Sequence, residues 1–293
     1  MKNRYGLKRG PHPRLQSFWD ARAAGNFIGG GTGTGLLIIA ALLSVLGEPV
    51  PALPILGLAG VAFGLIMVGL EIGRPWRAIN VLFNPGTSWM TREAYVAIPV
   101  FLFGGTGILF DGTVLGNNAI VLAGVSAAGY LYCQMKMLEA AKGIPSWCEP
   151  ALKAYIPVTG MAEGLGIALC VPAVNASSIA LSALALLLLL RAFLWFRYVA
   201  ALHRKGAPAK TCAVIDAVRW PYVLLGHLLP ILLLWLALLL SSSVPVVLAG
   251  LLAASAGWYV KIVIITRAAQ TRGFAIPRTP IRGRGESRVL NNR

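Results

Sequence analysis

Residues 27–46 read FIGGGTGTGLLIIAALLSVL, a run without a charged side chain. A helix rises about 1.5 Å per residue, so a run of this length reaches about 30 Å, the thickness of a bilayer's hydrocarbon core. Seven further stretches are mostly apolar over a similar length, at 53–70, 93–110, 118–135, 157–174, 177–196, 221–241 and 244–263. The weakest is 157–174, which holds Pro157, Glu163 and Pro172. These runs predict an all-α polytopic membrane protein with eight transmembrane helices. The arm is 1–26, the eight-helix domain is 27–266 with a connector at 71–93, and the tail is 267–293.

Composition points the same way. Of 293 residues, 57% are hydrophobic and 12% charged, whereas soluble domains carry about 25% charged residues. An ordinary water-soluble enzyme is therefore excluded. The net charge of +16 does not indicate nucleic acid, because the 26 Lys and Arg follow the apolar stretches. The connections at 47–52, 111–117, 172–176 and 241–244 hold none of them. All 26, Arg191 and Lys261 included, are read as lying at or beyond helix ends on one side. The positive-inside rule makes that side cytoplasmic, with both termini there, in a bacterial or archaeal cytoplasmic membrane. The basic tail and arm are expected to meet partner subunits or anionic lipid.

Four cysteines at 133, 148, 170 and 212 form no CxxC pair, and His12, His203 and His227 are the only histidines. That set suggests no metal site, iron–sulfur cluster or haem held by this chain alone. Glycines are placed where helices pack: Gly29, Gly30, Gly31, Gly33 and Gly35 in the first stretch, Gly57, Gly60, Gly64 and Gly69 in the second, and Gly104, Gly105 and Gly107 in the third. Small residues let membrane helices approach closely.

The connector 71–93, EIGRPWRAINVLFNPGTSWMTRE, concentrates directional groups: Glu71, Arg74, Trp76, Arg77, Asn80, Asn84, Trp89, Arg92 and Glu93. One reading is a docking surface or site wall; the other is orientation-setting cations with interfacial Trp anchors. Asn26, Tyr130 and Gln134 lie near the same membrane edge. Glu163 falls deep enough to need either a buried partner or a proton-handling role. Together they could line a quinone pocket. Asn26, Arg77, Asn80, Tyr130 and Gln134 would bind the head group, and Glu71 and Glu163 would handle its protons.

The GRP, RAIN and SWMTRE elements within 73–93 resemble the connector of the NrfD and dimethyl-sulfoxide-reductase-anchor superfamily. Residues 19–35, WDARAAGNFIGGGTGTG, resemble in particular the membrane subunits of the phenylacetyl-CoA:acceptor oxidoreductase group. The resemblance implies a quinone-binding anchor, using menaquinone or ubiquinone, for an iron–sulfur subunit and a molybdopterin catalytic subunit. The charge distribution would put both partners on the cytoplasmic face. Some superfamily members carry histidine where this chain has Glu71. A transporter, and a purely structural anchor without quinone chemistry, are the competing expectations.

Overall fold

A computed structural model of the chain describes residues 12–72 and 75–273, with the backbone alone over 75–78. Arg74, the Arg77 side chain and the tail beyond residue 273 lie outside the described residues. The helices are α1 (Ala21–Val45), α2 (Ala52–Glu71), α3 (Trp89–Leu109), α4 (Val114–Ala140), α5 (Pro145–Cys148), α6 (Pro150–Ala168), α7 (Pro172–Asn175), α8 (Ser178–Arg204), α9 (Ala209–Val223), α10 (Leu229–Leu240) and α11 (Val244–Ile262). The connector forms a 3-10 helix over Pro75–Phe83.

Local chemistry sets the helix starts. Asp20, Ser88, Thr113 and Ser177 each accept a hydrogen bond from a first-turn N–H of α1, α3, α4 and α8, satisfying donors that helix geometry leaves free. Arg22 beside Asp20 holds that carboxyl below its usual range. α9 and α10 form one path through a π-turn over Leu224–Leu228 that follows Pro221, and α11 ends in a second π-turn over Val263–Arg267. Proline removes a backbone donor, and widened turns of this kind often adjoin functional groups.

Among the described residues, six helical segments are long and apolar enough to cross a membrane: α1, α2, α4, α8, the Ala209–Leu240 path, and Val244–Arg267. Their outward residues include Leu186, Leu238 and Val125, all about two-thirds exposed. The chain is a multi-pass, mostly helical membrane protein. α3 and α6 are comparable in length at 21 and 19 residues but are more polar. α3 opens with Arg92 and Glu93, and α6 carries Lys153 and Glu163 with Pro157 inside.

α1 is the central helix, packed against α2, α4, α6 and α11, and glycine makes those approaches possible. A Cβ on Gly33 would lie 2.6 Å from Val61 N, and one on Gly60 would lie 2.9 Å from Gly33 Cα. On the opposite side of α1, a Cβ on Gly164 would lie 2.5 Å from Gly35 C. Gly69 and Gly105 have no such neighbours, so the expectation of close packing holds at Gly57, Gly60, Gly64, Gly104 and Gly107 and fails at those two.

The two ends of the described chain meet. Leu15 and Gln270 form an antiparallel bridge, flanked by Gln16 N donating to Ala269 O at 3.0 Å and Thr271 N to Arg14 O at 2.8 Å. Gln16 adds side-chain bonds to Phe18 N, Trp19 N, Trp19 O and Ile265 O. Trp19 stacks on Trp147 with ring centroids 4.8 Å apart. This clasp lies at the bundle end where α1 begins and α11 finishes. Arg14, Arg22, Lys142, Arg204 and Arg267 lie at the same helix ends, making it the basic end.

Candidate functional site

At the basic end, α2, the 3-10 helix and the start of α3 enclose an open groove of about 320 Å³. Its walls include Leu65, Val68, Ile72, Val81 and Leu82, and Glu93 is the charged residue among them. The connector is held over the groove. Thr91 Oγ1 donates to Val81 O, Tyr95 OH donates to Leu82 O at 2.7 Å, and Arg92 donates to the carbonyls of Pro85 and Gly86 at 2.7 Å each. The Arg92 guanidinium also lies 4.1 Å over the Trp89 ring. Arg92 therefore braces the turn between the 3-10 helix and α3.

Glu93 is only 2% exposed. Asn26 Nδ2 donates to its two oxygens at 3.4 Å each. Tyr130 OH donates to Asn26 Oδ1 at 3.4 Å, and Gln134 Nε2 donates to Asn26 O at 3.0 Å. Asn26, Tyr130 and Gln134, expected from the sequence near one membrane edge, come together here. The carboxyl they surround is Glu93, which the sequence marks only as part of the connector. Its signal is faint: a Glu following Arg at a helix start resembles any solvated pair, and only the packing of α3 on α4 turns it inward, towards Asn26.

The other expected site residues do not join this cluster. Glu71 is half-buried at the end of α2, one of its oxygens buried without a partner. Its neighbour Leu70 accepts a bond from Arg22 at 2.7 Å. Asn80 is exposed on the 3-10 helix. The Arg77 side chain is among those not described.

Glu163 belongs to a second buried network. Lys261 Nζ donates to Glu163 Oε2 at 2.7 Å and to Phe27 O at 2.9 Å, and both side chains are 0% exposed. Thr32 Oγ1 donates to the same carboxylate oxygen at 2.9 Å. Arg191, also fully buried, donates to Ala253 O at 2.8 Å, Gly226 O at 2.6 Å and His227 Nε2 at 3.2 Å. His227 Nδ1 lies 3.2 Å from Tyr222 O, an arrangement that fixes a neutral ring with its proton on Nδ1. These positions correct the reading of Arg191 and Lys261 as cations at helix ends. Both point into the bundle, because Glu163 on α6 and the carbonyls around the first π-turn offer partners that lipid does not.

No family model matches the chain, and no curated protein is significantly similar to it.

A second cleft, about 210 Å³, opens at the opposite end beside Ser44, Pro49, Asp111 and Asn117. Asp111 is exposed there and Asn117 half-buried. The 320 Å³ groove differs in having a buried carboxyl in its wall with an ordered hydrogen-bonding shell behind it. An apolar slot with one convergent polar group is the usual form of a site for a flat, mostly apolar ligand.

Proposed function

We propose that this chain is the quinone-binding membrane anchor of an oxidoreductase complex, and that the groove at Glu93 is its quinone site. The observation that carries this reading is a buried carboxyl in the wall of an apolar groove at the basic membrane edge. The connector over that groove carries the elements that resemble the NrfD and dimethyl-sulfoxide-reductase-anchor superfamily. The residues fit the ligand: Leu65, Val68 and Val81 offer apolar faces to a ring, and Glu93 offers a hydrogen bond to a ring oxygen.

Menaquinone or ubiquinone, when bound, supplies a carrier of two electrons and two protons. Glu93 holds or releases a proton at its Oε atoms. Asn26 fixes that carboxyl, while Tyr130 and Gln134 fix Asn26. The apolar walls would seat the ring beside the connector. Glu71, just outside the groove wall, is the station through which protons would exchange with the aqueous edge.

In this reading α3 and α6 complete eight transmembrane helices, with both termini and the basic end in the cytoplasm of a bacterium or archaeon. An iron–sulfur subunit docks on the connector and passes electrons from a molybdopterin subunit, whose substrate is phenylacetyl-CoA or a similar cytoplasmic thioester. The complex is tested by gentle solubilisation, followed by metal analysis and quinone extraction. Molybdenum, iron and quinone recovered together support the assignment. Recovery of the chain with none of them overturns it. A transport function draws on one observation, the buried charges on α6, α8 and α11, and would show instead as solute uptake by the chain alone.

A further inference from the structure

α8 and the α9–α10 path run side by side in opposite directions, with Arg191 bonded to Gly226 at one level and Phe196 against Trp220 nearer the basic end. From Ser178, where α8 starts at the other end of the bundle, to Arg197 the helix rises about 28 Å. From Leu240 back to Trp220 the rise is about 30 Å. Each rise matches the thickness of a hydrocarbon core, about 30 Å. Arg197, Arg219 and Trp220 therefore share the level at which acyl chains give way to head groups. Both helices carry on past that level towards Arg204 and Ala209.

Each of these arginines rests on aromatic rings. Arg219 Cζ lies 5.3 Å from the Phe196 ring and 5.3 Å from the Trp220 ring, and the two rings meet edge to face with centroids 6.3 Å apart. Arg197 Cζ lies 5.7 Å over the Phe193 ring. Such a contact fixes a guanidinium by its face and leaves the N–H donors at its edge for another partner. The ion pairs among the described residues involve neither arginine. Arg219 Nε is buried and meets no acceptor. Asp216, one turn away on α9, is engaged with His203 at 3.0 Å.

On the other side of this level the same faces turn apolar. Leu186, Leu190 and Phe193 lead up to Arg197 at steps of four, three and four, which keeps them on one face of α8, and all three are exposed. Leu224 and Leu228 repeat the exposed position of Trp220 at steps of four. A cationic shelf thus stands at the head of two apolar stripes that run down into the bilayer.

We propose that this flank is a binding site for an anionic phospholipid of the leaflet at the basic end. Its phosphate takes the edge donors of Arg197 and Arg219, and its acyl chains lie along the leucines of α8 and of the first π-turn. Planar donors suit phosphate oxygens, which accept two parallel N–H bonds, and basic pockets between membrane helices favour anionic head groups. A free phosphate would use the arginines but leave the apolar stripes idle, while a zwitterionic lipid brings a cation of its own to the shelf. The site shares no helix with the Glu93 groove and does not depend on what that groove binds.

The test is native mass spectrometry of the full chain, stripped of lipid in a non-ionic detergent and titrated with phosphatidylglycerol or with phosphatidylcholine. The first phosphatidylglycerol should bind about tenfold more tightly than the first phosphatidylcholine. Arg197→Gln and Arg219→Gln should each weaken it by about tenfold, the equivalent of one charge-assisted hydrogen bond. Arg204→Gln removes the same charge from the outer end of α8 and should change nothing. Equal affinity for the two lipids, no loss in Arg197→Gln, or an equal loss in Arg204→Gln would overturn the proposal. If Arg219→Gln does not fold, the other two variants decide, since both alter exposed side chains. Inorganic phosphate is added as competitor. Retention of the lipid supports the site, and its displacement at matched concentration would assign the arginines to a free anion and overturn the lipid reading.

Discussion

Trp258 Nε1 donates to Thr32 Oγ1 at 2.9 Å, and the same hydroxyl donates onward to Glu163 Oε2. One small side chain on α1 thus joins α11 to α6. Thr32→Val keeps the shape but leaves the indole N–H and one carboxylate site unsatisfied. Unpaired buried polar groups cost about 1–3 kcal/mol each. Thermal unfolding in detergent should show a loss of about 2–4 kcal/mol, with a shift in tryptophan emission.

Helix approach gives a paired prediction. Gly33→Leu should force α1 from α2, because a Cβ there already meets the backbone of Gly57 and Val61. Overpacking of this kind costs about 1–3 kcal/mol or more. Gly105→Ala, with open space around it, should leave the melting temperature unchanged or slightly raised.

Glu93→Gln retains the size and the contact with Asn26 but removes the titrating proton. Quinone reduction by the assembled complex should fall by about 10²–10⁴-fold, the usual contribution of a positioned acid or base. Asn80→Ala, on an exposed position of the connector, should keep full turnover. Rapid-mixing absorbance of a soluble quinone analogue reads both.

Arg92→Met should loosen the connector, since it removes two bonds to the turn at Pro85 and Gly86. Hydrogen exchange at residues 81–88 should rise by about tenfold, the equivalent of one lost charge-assisted bond of about 1.4 kcal/mol. Unchanged exchange would show that Thr91 and Tyr95 suffice to hold the segment.

Much of the architecture was legible from hydropathy, because lipid demands long apolar runs whatever their packing. Asn26, Tyr130 and Gln134 were legible too, as polar side chains near the same end of such runs. Lys261 and Arg191 were not. A basic residue near a helix end ordinarily reaches for the aqueous edge, and only the position of Glu163 on another helix reverses that preference. Glu71 and Glu93 flank the same connector and look alike in one dimension. The phase of α3 against α4 separates them, burying one and leaving the other at the rim.

The bridge between Leu15 and Gln270 has a practical corollary. Because the start of α1 and the close of α11 are stitched together, the helical path is nearly a ring, and the chain on either side of the described residues leaves the bundle from one corner. A rearranged gene that joins the old ends and opens the chain at the Ser241–Ser243 turn should still yield the same bundle.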